Sequence, residues 1–171
     1  MYSQEKQDEF VLHMMNGKVG EYLEVGASHP IDINNTFLLE QHGWTGLSID
    51  IDDSCRNIWL EKRKNPLVIA DALTFEYPQK ERIDYLQIDV DPSETSFKAL
   101  LQVMKSKTRF SIITYETDAY ADNTYVQPSR QLLQSEGYKL IRADVMCGFG
   151  PFEDWYIDPL VIDANLINTF K

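Results

Sequence analysis

Short apolar runs alternate along this chain with stretches whose apolar positions recur at helical spacing. Runs over residues 21–25, 46–51, 67–70, 83–90 and 110–115 are strand-length and rich in Val, Ile, Leu and Tyr, which predicts five strands. Between them, Phe10, Val11, Leu12, Met14 and Met15 suggest a leading helix that Gly17 ends. Residues 35–41 read as a second helix, with Phe37, Leu38 and Leu39 apolar and Gly43 just past its end. A third covers 55–63 behind an Asp53 or Ser54 cap. A fourth runs from a Ser93 cap to about Lys105, with Glu94 in its first turn, and a fifth from Pro128 to Gly137. Residues 138–145 and 154–162 close the sheet. Strand–helix alternation of this kind predicts an α/β, Rossmann-like fold. It comprises a mostly parallel seven-stranded sheet, helices on both faces and an antiparallel C-terminal strand. A single domain is expected over 1–171: a leading helix (1–18), a ligand-binding core (20–120) and a C-terminal helix with strands (121–171).

Composition narrows the function. The 171 residues are 43% hydrophobic and 12% aromatic, as for a globular core, and carry a net charge of −11. A surface this negative repels phosphate backbones, so no nucleic-acid partner is expected. The basic run Glu61-Lys62-Arg63-Lys64 reads as a solvated helix face. No stretch approaches the roughly 20 apolar residues of a membrane span. Cys55 and Cys147 are too far apart for a metal knuckle or a disulfide framework. The polar start MYSQEKQDEF has no export character, so a cytoplasmic protein is expected.

Chemistry concentrates at the strand ends. Parallel α/β sheets take ligands at the carboxyl ends of their strands. Here those ends read Glu24-Val25-Gly26, Asp50-Ile51-Asp52, Asp71-Ala72, Asp89-Val90-Asp91 and Glu116-Thr117-Asp118, each with an acid. Gly26 provides a small residue where backbone meets ligand. Asp50, after the second strand, suits the paired hydroxyls of a ribose, and Asp71 suits the amine of adenine. The plainer reading is that Asp50 and Asp71 only cap the turns that follow. The pyrophosphate fingerprint G-x-G-x-x-G is absent, since Ala27, Ser28, His29 and Pro30 follow Gly26. A dinucleotide is therefore disfavoured. A sulfonium cation without phosphate, as in S-adenosylmethionine, tolerates acids such as Glu24 and Asp89.

The run YLEVGASHPIDINNTFLLEQHGWTGLSID resembles the opening of FkbM-like, S-adenosylmethionine-dependent methyltransferases of the Rossmann-like class I type. Asn35-Thr36-Phe37 and Leu39-Glu40 match that family's helix, and Gly43-Trp44-Thr45-Gly46 with Asp50 match the segment after it. YLQIDVDPSETSFKAL is similar to its Ile-Asp-x-Glu-Gly-x-Glu segment, on Asp89, Asp91 and Glu94. Ser28, Pro30 and Pro92 stand where the family has Asn, Gly and Gly. The resemblance spans about residues 20–120. It implies methyl transfer to a hydroxyl of a small molecule or sugar. Glu24, Gly26, Ala27 and Ser28 would line the methionine end, with Asn35 supporting their turn. Asp50 would bind the ribose, Ile51 would pack on the adenine, Asp71 and Ala72 would flank its amine, and Asp89 would face the methyl.

A hydroxyl needs its proton removed as the new bond forms. Asp89 is the leading base, with Asp91 and Glu116 behind it. A divalent ion held by Asp89, Asp91 and Glu116 or Asp118 is the less favoured route, and no metal ligand is assigned. His29 reads as an exposed or packing residue, with a substrate-side role as the alternative. In FGPFEDWY, Trp155 reads as core and Phe152 as core or substrate wall. The leading rival is a catalytically inactive subunit of the same fold, motivated by Ser28-His29-Pro30. A nicotinamide-dependent oxidoreductase is weaker, lacking the pyrophosphate glycines. A homo-oligomer could complete the pocket.

Overall fold

The computed structural model describes residues 2–170. Its elements, in chain order, are α1 (Gln7–Met14), β1 (Glu21–Val25), α2 (Phe37–Gln41), β2 (Thr45–Asp50), α3 (Arg56–Lys62) and β3 (Leu67–Ile69). Then come β4 (Arg82–Ile88), α4 (Ser93–Met104), β5 (Arg109–Glu116), α5 (Val126–Ser135), β6 (Lys139–Cys147), β7 (Gly150–Ile157) and a 3₁₀ turn, Ala164–Thr169. The seven strands form one sheet in the order β3-β2-β1-β4-β5-β7-β6. β1 to β5 pair in parallel, and β7 is inserted antiparallel between β5 and β6.

Alternation along the strands creates two cores. Leu23, Val25, Leu86, Ile88, Ile113 and Tyr115 point to one face, which Ala99, Leu100 and Val103 of α4 and Leu133 of α5 cover. The spacing of Ser96, Ala99, Leu100 and Val103 puts them on one stripe of α4. Tyr22, Tyr85, Ile112, Trp155 and Ile157 point to the other face, under Phe10, Val11 and Met14 of α1. Trp155 is fully buried there, its ring stacked on Phe10 at 4.3 Å. It is therefore core, as its sequence context suggested, and Phe152 is buried with it.

Where boundaries differ from the sequence expectation, three of the differences have a clear local reason. α2 starts at Phe37 rather than at residue 35, because Asn34 Oδ1 accepts from the amides of Thr36 and Phe37 and sets the first turn there. β7 starts at Gly150 and stops at Ile157, since Asp158 turns the chain by accepting from Leu160 N, and Pro159 has no N–H for the ladder. Pro128 is the third residue of α5, still within the first turn, where a missing donor costs little.

Candidate functional site

The carboxyl ends of β1, β2, β3, β4 and β5 lie side by side on one edge, so the acids at their tips converge. Gly26 opens the turn after β1 with φ +84°, and a Cβ there would stand 1.6 Å from the carbonyl oxygen of Asp89. Close approach of two strand ends, as well as space for a ligand, thus dictates glycine. Ser28 also takes a positive φ of 47° and donates its amide to Asp50 Oδ2 at 2.7 Å. Asp52 N donates to Asp50 Oδ1 at 2.8 Å, and Leu73 N to Asp71 Oδ1 at 2.8 Å. Asp50 and Asp71 do cap their turns. Each carboxylate oxygen has a second lone pair, so capping leaves acceptor capacity for a ligand.

Two adjoining hollows cross this edge. A cavity of about 210 Å³ is walled by Ile49, Ala70, Ala72 and Val90, with Asp71 at one side. A wider one of about 640 Å³ takes in Ser28, His29, Asp32, Ile33 and Asp89. Gly26, Asp50, Ile51, Val90 and Asp91 border both, so the two form one groove. Ile51 is 71% exposed on its rim. His29 lines the wide part with Nδ1 accepting from the amides of Ile31 and Asp32, which leaves Nε2 to carry the proton.

Glu24, Ala27, Asn35 and Glu116 border neither hollow. Glu24 lies buried beneath the turn, with Oε2 accepting from Thr36 Oγ1 at 2.9 Å and Ser48 Oγ at 2.6 Å. Burial pushes its carboxyl up to about 7, against the pull of Arg63, Ser48 and Thr36. Ala27 is buried as well, and its carbonyl accepts from Asn34 Nδ2, so Asn34 holds the turn where Asn35 was expected to. Asn35 is buried with Oδ1 unpaired.

Arg63, expected on a solvated face, is 6% exposed and is the hub of this support. Its Nε donates to Glu40 Oε2 at 2.8 Å, Nη1 to Pro30 O and Asn34 Oδ1, and Nη2 to Tyr22 OH and Thr36 Oγ1. All five guanidinium donors are used, and the group also lies 4.4 Å over Trp59. Arg63 caps the end of α3 in an extended conformation, which turns it off the helix's solvated face.

The carboxyls of Asp89 and Glu116 lie within hydrogen-bond reach of each other, and Glu116 likewise reaches Asp118. Burial raises Asp89, opposed by its bond to Glu116 and reinforced by Asp91 and Asp50. Burial also raises Glu116, then Asp89 beside it does so further, so Glu116 holds the proton of the pair at neutral pH. Glu153, missed from sequence, stands opposite Glu116 on β7 and is pushed by burial up to about 8. Strand alternation with Trp155 was its only signal. Among the described residues, no group of three His, Cys, Asp or Glu is arranged to hold a metal ion.

No family model and no curated protein matches the sequence. Solved structures do match in fold. The N-methyltransferase NodS from Bradyrhizobium japonicum, in complex with S-adenosyl-L-homocysteine, is 12% identical with a TM-score of 0.60, covering 91% of this chain and 86% of its own. An O-methyltransferase from Bacillus cereus in complex with the same compound is 15% identical, TM-score 0.60, covering 92% and 82%. An rRNA methylase from Streptococcus thermophilus is 12% identical, TM-score 0.52, covering 87% and 93%. The fold of this chain is the Rossmann-like one of the class I methyltransferases.

Proposed function

We propose that this chain is an S-adenosylmethionine-dependent methyltransferase acting on a hydroxyl of a small molecule or sugar. The observation that carries the reading is the groove over the strand tips, with carboxylates where a ribose, an adenine amine and a sulfonium each want one. The apolar hollow of Ile49, Ile51, Ala70, Ala72 and Val90 fits an adenine ring, and Asp71 at its side accepts from the amine. Asp50 faces both hollows, as a ribose ligand must. Gly26, Ser28 and Asp89 line the wider hollow and suit the methionine end. Bound there, the cofactor supplies an electrophilic methyl on a sulfonium.

The chain's own part is alignment and proton transfer. Holding the acceptor oxygen in line turns a bimolecular displacement into a unimolecular one. Asp89 takes the hydroxyl proton, while the protonated Glu116 donates to Asp89 and keeps it ionised until then. Asp91, exposed at the rim, is the reserve base. The resemblance of the Asn35–Asp50 segment to FkbM-like enzymes supports an oxygen acceptor, while N-methyl and RNA methylases share the fold. The test is incubation with methyl-labelled S-adenosylmethionine and matched alcohols and amines. Label in an alkali-stable ether supports the reading, whereas label in amines alone replaces oxygen by nitrogen.

A further inference from the structure

The turn after β1 spends most of its backbone donors on itself. Gly26 N donates to Ile49 O at 2.9 Å and Ser28 N to Asp50 Oδ2 at 2.7 Å. Ile31 N and Asp32 N both donate to His29 Nδ1, at 3.3 and 2.9 Å. Pro30 has no N–H to give. Across residues 26–32 that leaves the amides of Ala27 and His29, and Ala27 borders neither hollow. An anion entering the wide hollow therefore finds little of the amide cradle that strand-to-helix turns offer to phosphates.

Side-chain donors are as scarce. The wide hollow carries the carboxylates of Asp32, Asp50, Asp89 and Asp91, and only His29 and Ser28 set an N–H or O–H donor against them. The His29 side chain is 34% exposed at that wall. Its Nδ1 lone pair is taken by the two amides, with the Asp32 carboxylate farther off at 3.5 Å, so the ring proton sits on Nε2. Among the described residues Nε2 has no partner. A ring held this way donates and does not accept, which removes His29 as a base and makes it a fixed N–H on the hollow's wall.

We propose that His29, through Nε2–H, holds the carboxylate of the cofactor's methionine end. The inference rests on the methyltransferase reading and deepens it, by naming the residue that reads the amino-acid tail. The tail is a zwitterion, and the wall matches it in both signs. Its carboxylate needs a donor where the turn's amides are spent, and its ammonium suits the acids that line the rest of the hollow. A phosphate in the same place would meet those acids with too few donors to offset them.

The test compares S-adenosylhomocysteine with 5′-methylthioadenosine, which keeps the nucleoside and the sulfur but lacks the amino-acid tail, by calorimetric titration. The wild type should bind S-adenosylhomocysteine more tightly. His29→Asn keeps an oxygen near the Nδ1 position for the amides of Ile31 and Asp32 and loses the Nε2–H. It should weaken S-adenosylhomocysteine about 10–100-fold, the worth of one charge-assisted hydrogen bond, and leave methylthioadenosine within about twofold. His29→Gln, whose amide nitrogen reaches toward the Nε2 position, should recover part of the difference. In the wild type, nitrogen NMR of the histidine rings should show His29 Nε2 moving with S-adenosylhomocysteine and not with methylthioadenosine, a readout that stands even where a variant fails to fold. Equal affinity of the two compounds for the wild type, an equal loss of both in His29→Asn, or a His29 signal indifferent to the tail overturns the anchor while leaving the nucleoside site in place. Failure of both compounds to bind the wild type sinks the methyltransferase reading, and the anchor with it.

Discussion

The carbonyl oxygen of Asp89 lies against the α-carbon of Gly26, 1.6 Å from where any Cβ would stand. The turn after β1 and the base at the end of β4 are thereby locked together, and φ +84° at Gly26 is strained for any other residue. Gly26→Ala must push the two strand ends apart. The expected cost is about 3 kcal/mol or more in urea unfolding, together with loss of cofactor affinity. Wild-type stability in this variant would show that the two ends are not held in contact.

Arg63 gives a second prediction. Replacing it by Met removes five donors and leaves the buried Glu40 with only the backbone amides of Lys64 and Asn65 and no opposite charge. The expected destabilisation is about 3–5 kcal/mol by urea unfolding. Arg63→Lys should recover little, because an ammonium cannot reach Glu40, Pro30, Asn34, Tyr22 and Thr36 together.

Stability should fall as pH rises through neutrality. Glu24 at about 7 and Glu153 at about 8 are both raised by burial from the usual 4.5. Each is neutral in the folded chain while already ionised in the unfolded one, so the folded state binds the extra proton. Their contribution is complete below pH 4.5 and is lost as pH climbs through 7 and then 8. The slope is about 1.4 kcal/mol per pH unit for each group. Glu153→Gln should remove one group's share of that slope between pH 5.5 and 7.5 (about 1.4 kcal/mol per unit). A slope unchanged by the substitution would place the titration elsewhere.

Asp89→Asn should leave the cofactor bound while kcat falls by about 10²–10⁴, the usual worth of a general base. Glu116→Gln keeps a donor toward Asp89 and should cost less. Equal losses in the two variants would point to a shared structural role.

Much of the fold was legible because strands on both sides of β1 are plain apolar runs and Gly17, Gly43 and Gly137 mark helix ends. The convergence of Asp50, Asp71, Asp89 and Glu116 was legible too, since parallel topology alone brings strand ends together. What lay hidden was the side on which a residue works. Glu24 and Asn35 look like pocket residues in sequence, yet alternation buries Glu24 under the turn, and Asn34 takes the supporting bond. Arg63 looks like solvent-facing charge until Glu40, Tyr22 and Thr36 are known to surround it. Glu153 hid inside an aromatic run whose bulk suggested packing and nothing else.

Calorimetric titration of S-adenosylhomocysteine into the wild-type chain and into Asp50→Ala tests the central claim most directly. The groove should give a saturable heat at one equivalent in the wild type, weakened roughly 10–100-fold when the carboxylate is removed, the worth of one or two charged hydrogen bonds. No heat in the wild type, or the same affinity in Asp50→Ala, would contradict a nucleoside lying across the strand tips.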